Sequence, residues 1–99
     1  MVAVICATLL LTMQIITIDC TDIRDKASFH AAVSKALSFA DYYGRNLDAL
    51  HDCLTDISEE TRIHLLNWAD AEEMLGSYAR GAKRAILDAA TENKNLAVI

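Results

Sequence analysis

Apolar and polar residues alternate between strand-like and helix-like patterns in the first half of this chain of 99 residues. Residues 14–19 (QIITID) contain three isoleucines and are rich in β-branched side chains, which predicts a strand buried on both faces of a parallel sheet. Over residues 26–39 apolar side chains recur at helical spacing, and Asp25 before them is a candidate N-cap. The patterns predict a strand followed by an amphipathic helix.

The rest of the chain continues the same alternation. Gly44 favours a turn and Asn46 is a natural N-cap, so a second helix is predicted to begin after them. Short apolar runs fit either a strand or a helix, so the interpretation of residues 63–68 (IHLLNW) as a strand rests on weaker grounds. The remaining predicted elements are a polar connection at 58–61, a short helix at 70–75 ending at Gly76, an Ala-rich helix at 77–91 and a strand at 96–99.

Strands that are separated by helices imply crossover connections and a parallel sheet. The chain is therefore predicted to have an α/β fold, with a small three-stranded parallel sheet packed by about four helices. Its length suits one domain with a single core, over residues 13–99. Trp68 is expected in that core.

Residues 1–12 (MVAVICATLLLT) form an uncharged, apolar extension before this domain. They lack the basic start and the small-residue cleavage site of a secretory signal, and they are too short to span a bilayer. Because Met13 directly precedes the first predicted strand, a mis-assigned start is the favoured interpretation. A targeting segment is the alternative.

The charge balance points to a basic protein as the partner. The formal net charge is -5 and the sequence pI is about 4.9, which disfavours binding to nucleic acid, since phosphate contacts need clustered Lys and Arg. Cys6, Cys20 and Cys53 are widely spaced and form no CxxC pair, so free thiols in a reducing compartment are expected rather than disulfides or zinc. We therefore expect a cytoplasmic protein.

Asp48, Asp52 and Asp56 follow one another at intervals of four residues, which places them on one side of the second helix. Like charges at this spacing weaken a helix slightly. Two interpretations are open, an acidic docking surface and an ordinary solvated helix face, and charge pattern alone favours the second. Arg45, one turn before Asp48, could neutralise part of the row.

No motif in the chain predicts catalysis, a metal or a cofactor. His51 lies between Asp48 and Asp52, but the spacing differs from helical zinc motifs, and the other histidines have no ligand-like neighbours. Cys53, His51 and Asp52 are sequence neighbours that point in different directions on a helix, so they cannot form a catalytic triad. We expect neither an enzyme nor a small-molecule substrate.

Residues 42–55 (YYGRNLDALHDCLT) match the barstar pattern YYGxNLDALxDCLT at every specified position. The chain therefore resembles the barstar family, intracellular inhibitors of a secreted bacterial ribonuclease. Weaker agreement extends over residues 14–99 and includes Phe29 and His30 in the first helix, with Leu66 and Trp68 closing the second strand.

The resemblance implies that the second helix and the loop before it plug a ribonuclease active site, where carboxylates replace RNA phosphates. The residues that it assigns to this surface are Tyr42, Asn46, Leu47, Asp48, Ala49, His51, Asp52 and Asp88. It implies a monomer that meets a basic, guanyl-type ribonuclease. The alternative is a generic acidic interaction module on the same fold.

The chain departs from the family pattern at two points of this surface. His51 stands where the family has Trp, and Asp56 and Ile57 stand where it has a Gly-Trp pair. Since a few anchor residues dominate such interfaces, these differences imply a different cognate ribonuclease or a weaker interaction.

Overall fold

The computed structural model describes residues 13–99, and the predictions for residues 1–12 lie outside that range. Its elements are β1 (Met13–Asp19), α1 (Lys26–Leu37), α2 (Leu47–Thr55), β2 (Glu60–Leu66), α3 (Trp68–Leu75), α4 (Ser77–Glu92) and β3 (Leu96–Val98). None of these helices combines the length and apolar character that crossing a bilayer requires.

The three strands form one parallel sheet in the order β1-β2-β3. Ile16 of β1 pairs with Ile63 of β2, which in turn pairs with Val98 of β3. The predicted α/β fold, with a three-stranded parallel sheet and four helices, is confirmed.

The core lies between one face of the sheet and the helices. Its largest fully buried side chains include Phe29, Ile18, Leu50, Leu54, Ile63 and Ile86. The prediction that the first strand is buried on both faces is wrong, because Ile15 is 63% exposed while Ile18 is buried. β-branched composition marks a strand without revealing that one of its faces is open to solvent.

The second strand lies earlier in the chain than the predicted range 63–68. Polar Glu60 and Thr61 belong to it, since both pair with β1 and the Thr61 amide donates to the Asn95 carbonyl at 2.7 Å. The strand ends at Leu66 because Asn67 adopts a left-handed conformation with φ of 58°. Trp68 therefore starts α3 instead of closing the strand, although its expected burial in the core is confirmed.

The ends of the helices follow local capping chemistry. Asp25 is the N-cap of α1, as predicted, and forms a capping box with Ser28. The helix ends at Leu37, two residues before the predicted end, because Ser38 adopts a left-handed conformation with φ of 55°. Two smaller differences are that α4 extends one residue further, to Glu92, and that β3 ends at Val98.

Candidate functional site

The loop before α2 fixes where that helix begins. Asn46 is its N-cap, as predicted, and its side-chain oxygen accepts a hydrogen bond from the Ala49 amide at 2.7 Å. Gly44 permits this tight turn, because a Cβ atom there would lie 3.2 Å from the Cβ of Ala49. Asp48 in the first turn interacts favourably with the positive end of the helix dipole.

The packing of α2 leaves its acidic row in solvent. Leu50 and Leu54 are fully buried and hold the helix against the core. Asp48, Asp52 and Asp56 are all exposed, and the side chain of Asp52 is 83% exposed. We call these three residues the acidic row.

The acidic row is not neutralised by neighbouring cations. Among residues 13–99, no Lys or Arg forms a salt bridge with the acidic row, and the imidazole of His51 lies near the carboxylates of Asp52 and Glu92. Arg45 forms no ion pair with Asp48, although its spacing allowed one. The row therefore presents uncompensated negative charge.

His51 connects α2 to the last turn of α4. Its side chain is 32% exposed, and its Nε2 atom lies 2.5 Å from Oε2 of Glu92, whose side chain is 57% exposed. Its Nδ1 atom lies 3.9 Å from Oδ1 of Asp52, beyond hydrogen-bond distance. The imidazole is thus held against α4 beside the exposed carboxylate of Asp52.

Helix α4 adds a second source of negative charge. Asp88, predicted from the resemblance, is exposed and lies one turn before Glu92 on the same side of α4. Sequence reasoning missed Glu92. Its spacing of four residues from Asp88 was the available signal, but its contact with His51 depends on the tertiary packing of α2 against α4.

The apolar and aromatic residues of the predicted surface divide between exposed and packed positions. Tyr42 is 90% exposed, whereas Leu47 and Ala49 are half-buried and pack against the core. Leu47 rests on α4 at Gly81, where an added Cβ atom would lie 3.3 Å from its Cδ1. Tyr42 is therefore the accessible member of this apolar and aromatic group.

A buried histidine contacts the loop that precedes α2. His30 of α1 contacts the hydroxyls of Tyr43 and Tyr78, each at 2.6 Å, through Nδ1 and Nε2 respectively. Burial lowers the pKa of His30, and the positive charge of Arg45 lowers it further. Burial also raises the pKa of Tyr43, so this network is neutral at pH 7 and joins α1, the loop and α4.

Positive charge gathers in another part of α4. A groove of about 400 Å³ lies between α3 and α4 and contains three basic residues, two acidic residues and two apolar ones. Its lining residues are Trp68, Glu72, Arg80, Lys83, Arg84, Leu87 and Asp88. This arrangement places the cationic side chains of α4 in that groove rather than in ion pairs with the acidic row.

The thiols of the described chain are poor nucleophiles. Burial raises the pKa of Cys20 to about 11 and also raises the pKa of the half-buried Cys53. Cys53 packs against the edge of the core, as expected for a small apolar residue. Within residues 13–99 no three His, Cys, Asp or Glu side chains are arranged to hold a metal ion.

Comparison with known proteins places this geometry in a family. The family model described as Barstar (barnase inhibitor) matches residues 13–98. The chain belongs to the barstar family. A curated protein of Bacillus subtilis (strain 168), named "Putative ribonuclease inhibitor YrdF", is 39% identical over 84 residues, which cover 84% of this chain and 92% of that protein.

Membership of the barstar family agrees with the match at residues 42–55, and the structure explains why that segment keeps its pattern. Its glycine and asparagine form the turn and cap, and its leucines are buried. Asp48 adds only a favourable interaction with the helix dipole, and Asp52 takes no part in the turn, the cap or the core; both are exposed, and neither forms a salt bridge with Lys or Arg among residues 13–99. In this barstar homologue, the carboxylates of α2 are therefore free to contact another molecule.

Proposed function

We propose that this protein inhibits a ribonuclease by inserting α2 and the preceding loop into the enzyme's active site. The observation that carries the proposal is the exposed acidic row of Asp48, Asp52 and Asp56, which no Lys or Arg of residues 13–99 neutralises. Membership of a family described by inhibition of barnase supports the same conclusion.

Electrostatics supports a basic ribonuclease as the partner. A cleft that binds RNA phosphates concentrates positive potential, and this potential attracts an approaching acidic helix and raises the association rate. The net charge of -5 adds a favourable long-range term. We further propose that the target is a small secreted enzyme of the guanyl-specific type, and that the inhibitor acts as a monomer in the cytoplasm.

Desolvation decides which carboxylate contributes most. Asp52 is 83% exposed, so it loses its hydration when a partner covers it. That loss is offset only where charged donors hydrogen-bond both of its oxygens, as Arg and Lys side chains in a phosphate site do. We propose that Asp52 enters the phosphate site and that Asp48, Asp88 and Tyr42 contact its surroundings.

Occupation of the cleft excludes RNA, so inhibition needs no chemical step from the inhibitor. The polar turn residue Asn46 and the half-buried Leu47 and Ala49 shape the start of the helix that fills the cleft. His51 replaces the family's Trp in this surface, so we propose that the ribonuclease recognised by this chain differs there from barnase.

The deciding experiment measures RNA cleavage by barnase, and by a panel of other guanyl-specific ribonucleases, with and without the purified protein. We expect protection of RNA, and we expect Asp52→Ala to weaken inhibition by about 30-fold or more, as loss of an interface hot spot implies. Glu73→Ala, an exposed carboxylate on α3, is the matched control and should leave inhibition unchanged.

Two results would contradict the proposal. Equal effects of Asp52→Ala and Glu73→Ala would reject insertion of α2 into the active site. Binding to a ribonuclease that leaves RNA cleavage intact would instead identify a generic acidic interaction module.

A further inference from the structure

His51 of α2 contacts Glu92 of α4 through one nitrogen of its imidazole ring. Nε2 lies 2.5 Å from the Glu92 carboxylate, which belongs to the last residue of α4. A carboxylate only accepts hydrogen bonds, so Nε2 carries the proton in this contact. Glu92 thereby sets both the orientation and the tautomer of His51.

The tautomer determines what His51 offers to a partner. A neutral imidazole has one N–H group, so with the proton on Nε2 the Nδ1 atom keeps its lone pair and accepts hydrogen bonds. Carboxylates fix metal-binding histidines in the same manner, by taking the N–H of the nitrogen that does not bind the metal. Here Nδ1 lies 3.9 Å from Oδ1 of Asp52, which is a second acceptor.

We infer that Nδ1 of His51 and Oδ1 of Asp52 form a two-acceptor site for one arginine side chain of the partner, with Glu92 as the positioning residue. This inference rests on the proposed function, because the ribonuclease is the proposed source of the arginine. A guanidinium group holds its N–H donors in a rigid fork that can reach two neighbouring acceptors, whereas the ammonium group of lysine is a compact point charge.

The surroundings of His51 favour a cation at this position. Among residues 13–99, the carboxylates of Glu92 and Asp52 lie 2.5 and 3.9 Å from its imidazole nitrogens. Asp48 lies one turn earlier on α2 and Asp88 one turn earlier than Glu92 on α4, so both neighbouring helices contribute negative charge. The indole of Trp, which the family has at this position, offers only a donor and cannot form such a site.

The first test determines the tautomer in the free protein. Long-range ¹H–¹⁵N correlation spectra of the full chain, recorded from pH 6 to 9, should show His51 protonated at Nε2 where it is neutral. In Glu92→Gln the preference should weaken, while Glu73→Gln, the same change at an exposed position of α3, should preserve it. Protonation at Nδ1 in the unmodified protein would overturn the inference.

The second test uses ethylguanidinium and ethylammonium ions as probes, followed by the ¹⁵N shift of His51 Nδ1. Ethylguanidinium should bind roughly tenfold more tightly than ethylammonium, as a second charge-assisted hydrogen bond implies. Asp52→Asn and Glu92→Gln should each reduce that difference, and Glu73→Gln should not. Equal responses to both ions would overturn the inference.

The two-acceptor site and the proposed ribonuclease inhibition can be rejected independently of each other, because neither NMR measurement requires a ribonuclease. Inhibition of a ribonuclease without selective binding of ethylguanidinium would reject the two-acceptor site and leave the proposed function standing. Selective binding of ethylguanidinium without ribonuclease inhibition would support the site and reject a ribonuclease as the source of the arginine.

Discussion

The side-chain amide of Asn93 donates hydrogen bonds to the main-chain carbonyls of Leu54, at 3.0 Å, and Ile57, at 2.9 Å. Asn93 follows α4, and Leu54 lies in the last turn of α2, where carbonyls have no partner within the helix. Asn93 is buried, and its side-chain oxygen accepts from the Asn95 amide. One side chain therefore joins the C-terminal ends of the two helices that carry the candidate site.

We predict that Asn93→Ala lowers the free energy of unfolding by about 1–3 kcal/mol, because buried carbonyls lose their donor. Asn93→Asp should destabilise the protein at least as much, since its carboxylate would face carbonyl oxygens. Urea denaturation measures both effects. Lys94→Ala, at the next and exposed position, is the control, and a loss as large as that of Asn93→Ala would contradict this role.

The buried His30 predicts how stability depends on pH. Burial, and to a smaller extent Arg45, holds the pKa of His30 below the ordinary value of 6.5, so the unfolded chain binds a proton more readily than the folded chain. Stability should therefore be fully present above pH 6.5 and should fall as the pH decreases below it. For one proton the free energy of unfolding changes by at most about 1.4 kcal/mol per pH unit.

The measurement that checks this is urea denaturation between pH 5 and 8. His30→Gln should flatten the dependence in this range, because the replacement has no titrating proton. His64→Gln, at a half-buried position of β2, serves as the control and should keep the slope of the unmodified protein. An unchanged slope in His30→Gln would mean that another group is responsible.

Two glycines, Gly76 just before α4 and Gly81 inside it, should respond differently to replacement by alanine. Gly76, with φ of 58° and ψ of -128°, has a backbone conformation that side chains rarely adopt, so Gly76→Ala should cost about 1–3 kcal/mol although nothing lies within 4 Å. Gly81 is inside the helix, where alanine is favoured by about 1 kcal/mol. Its new Cβ would lie 3.3 Å from Cδ1 of Leu47, which can move slightly.

We therefore expect Gly81→Ala to be neutral or to stabilise the protein by less than about 1 kcal/mol. Thermal denaturation of both variants gives the comparison. If Gly81→Ala were the more destabilising of the two, Leu47 would be shown to be rigidly packed against α4. The start of α2 would then depend on the glycine.

The parts of the fold that sequence predicted correctly depend on short-range chemistry. The cap of α2 at Asn46 and the acidic row follow from spacing within one segment. The second strand was misplaced because its start depends on pairing between distant strands, through Thr61 and Asn95. Its end depends on the left-handed conformation of Asn67, which the apolar run through Trp68 concealed.

The connections beneath the candidate site could not be predicted in the same way. His30 contacts tyrosines that are 13 and 48 residues away, and its sequence context indicates only a helix. Glu92 meets His51 because α2 packs against α4, and a single sequence contains no record of that packing. Local patterns therefore predicted which carboxylates line the candidate surface, but not the tertiary contacts of His30 and Glu92 around it.

Electrostatic attraction should appear in the association rate. Raising NaCl from 50 to 500 mM should slow association with barnase, or with whichever ribonuclease of the panel is inhibited, by about tenfold or more. Asp56→Asn, at the exposed end of α2, should lower the association rate constant and weaken its salt dependence. Glu73→Gln on α3 is the matched control in stopped-flow measurements, and an effect confined to the dissociation rate would contradict the prediction.

Tyr42 and Tyr43 are adjacent, but we expect replacement of Tyr42 to affect partner binding and replacement of Tyr43 to affect stability. Tyr42 is 90% exposed, whereas Tyr43 is 6% exposed and contacts His30 through its hydroxyl. Tyr42→Ala should leave the free energy of unfolding within about 0.5 kcal/mol of the original value, as is usual for surface positions. It should nevertheless weaken ribonuclease binding by about tenfold or more, because exposed tyrosines at interfaces are frequent anchors.

Tyr43→Ala should instead destabilise the fold by about 3 kcal/mol or more, through loss of a buried aromatic side chain and of a partner for His30. Urea denaturation together with calorimetric titration of the inhibited ribonuclease separates the two effects. A loss of stability in Tyr42→Ala as large as in Tyr43→Ala would show that Tyr42 supports the loop. Unchanged affinity in a fully folded Tyr42→Ala would remove Tyr42 from the binding surface, which would then depend on the carboxylates of α2 and α4.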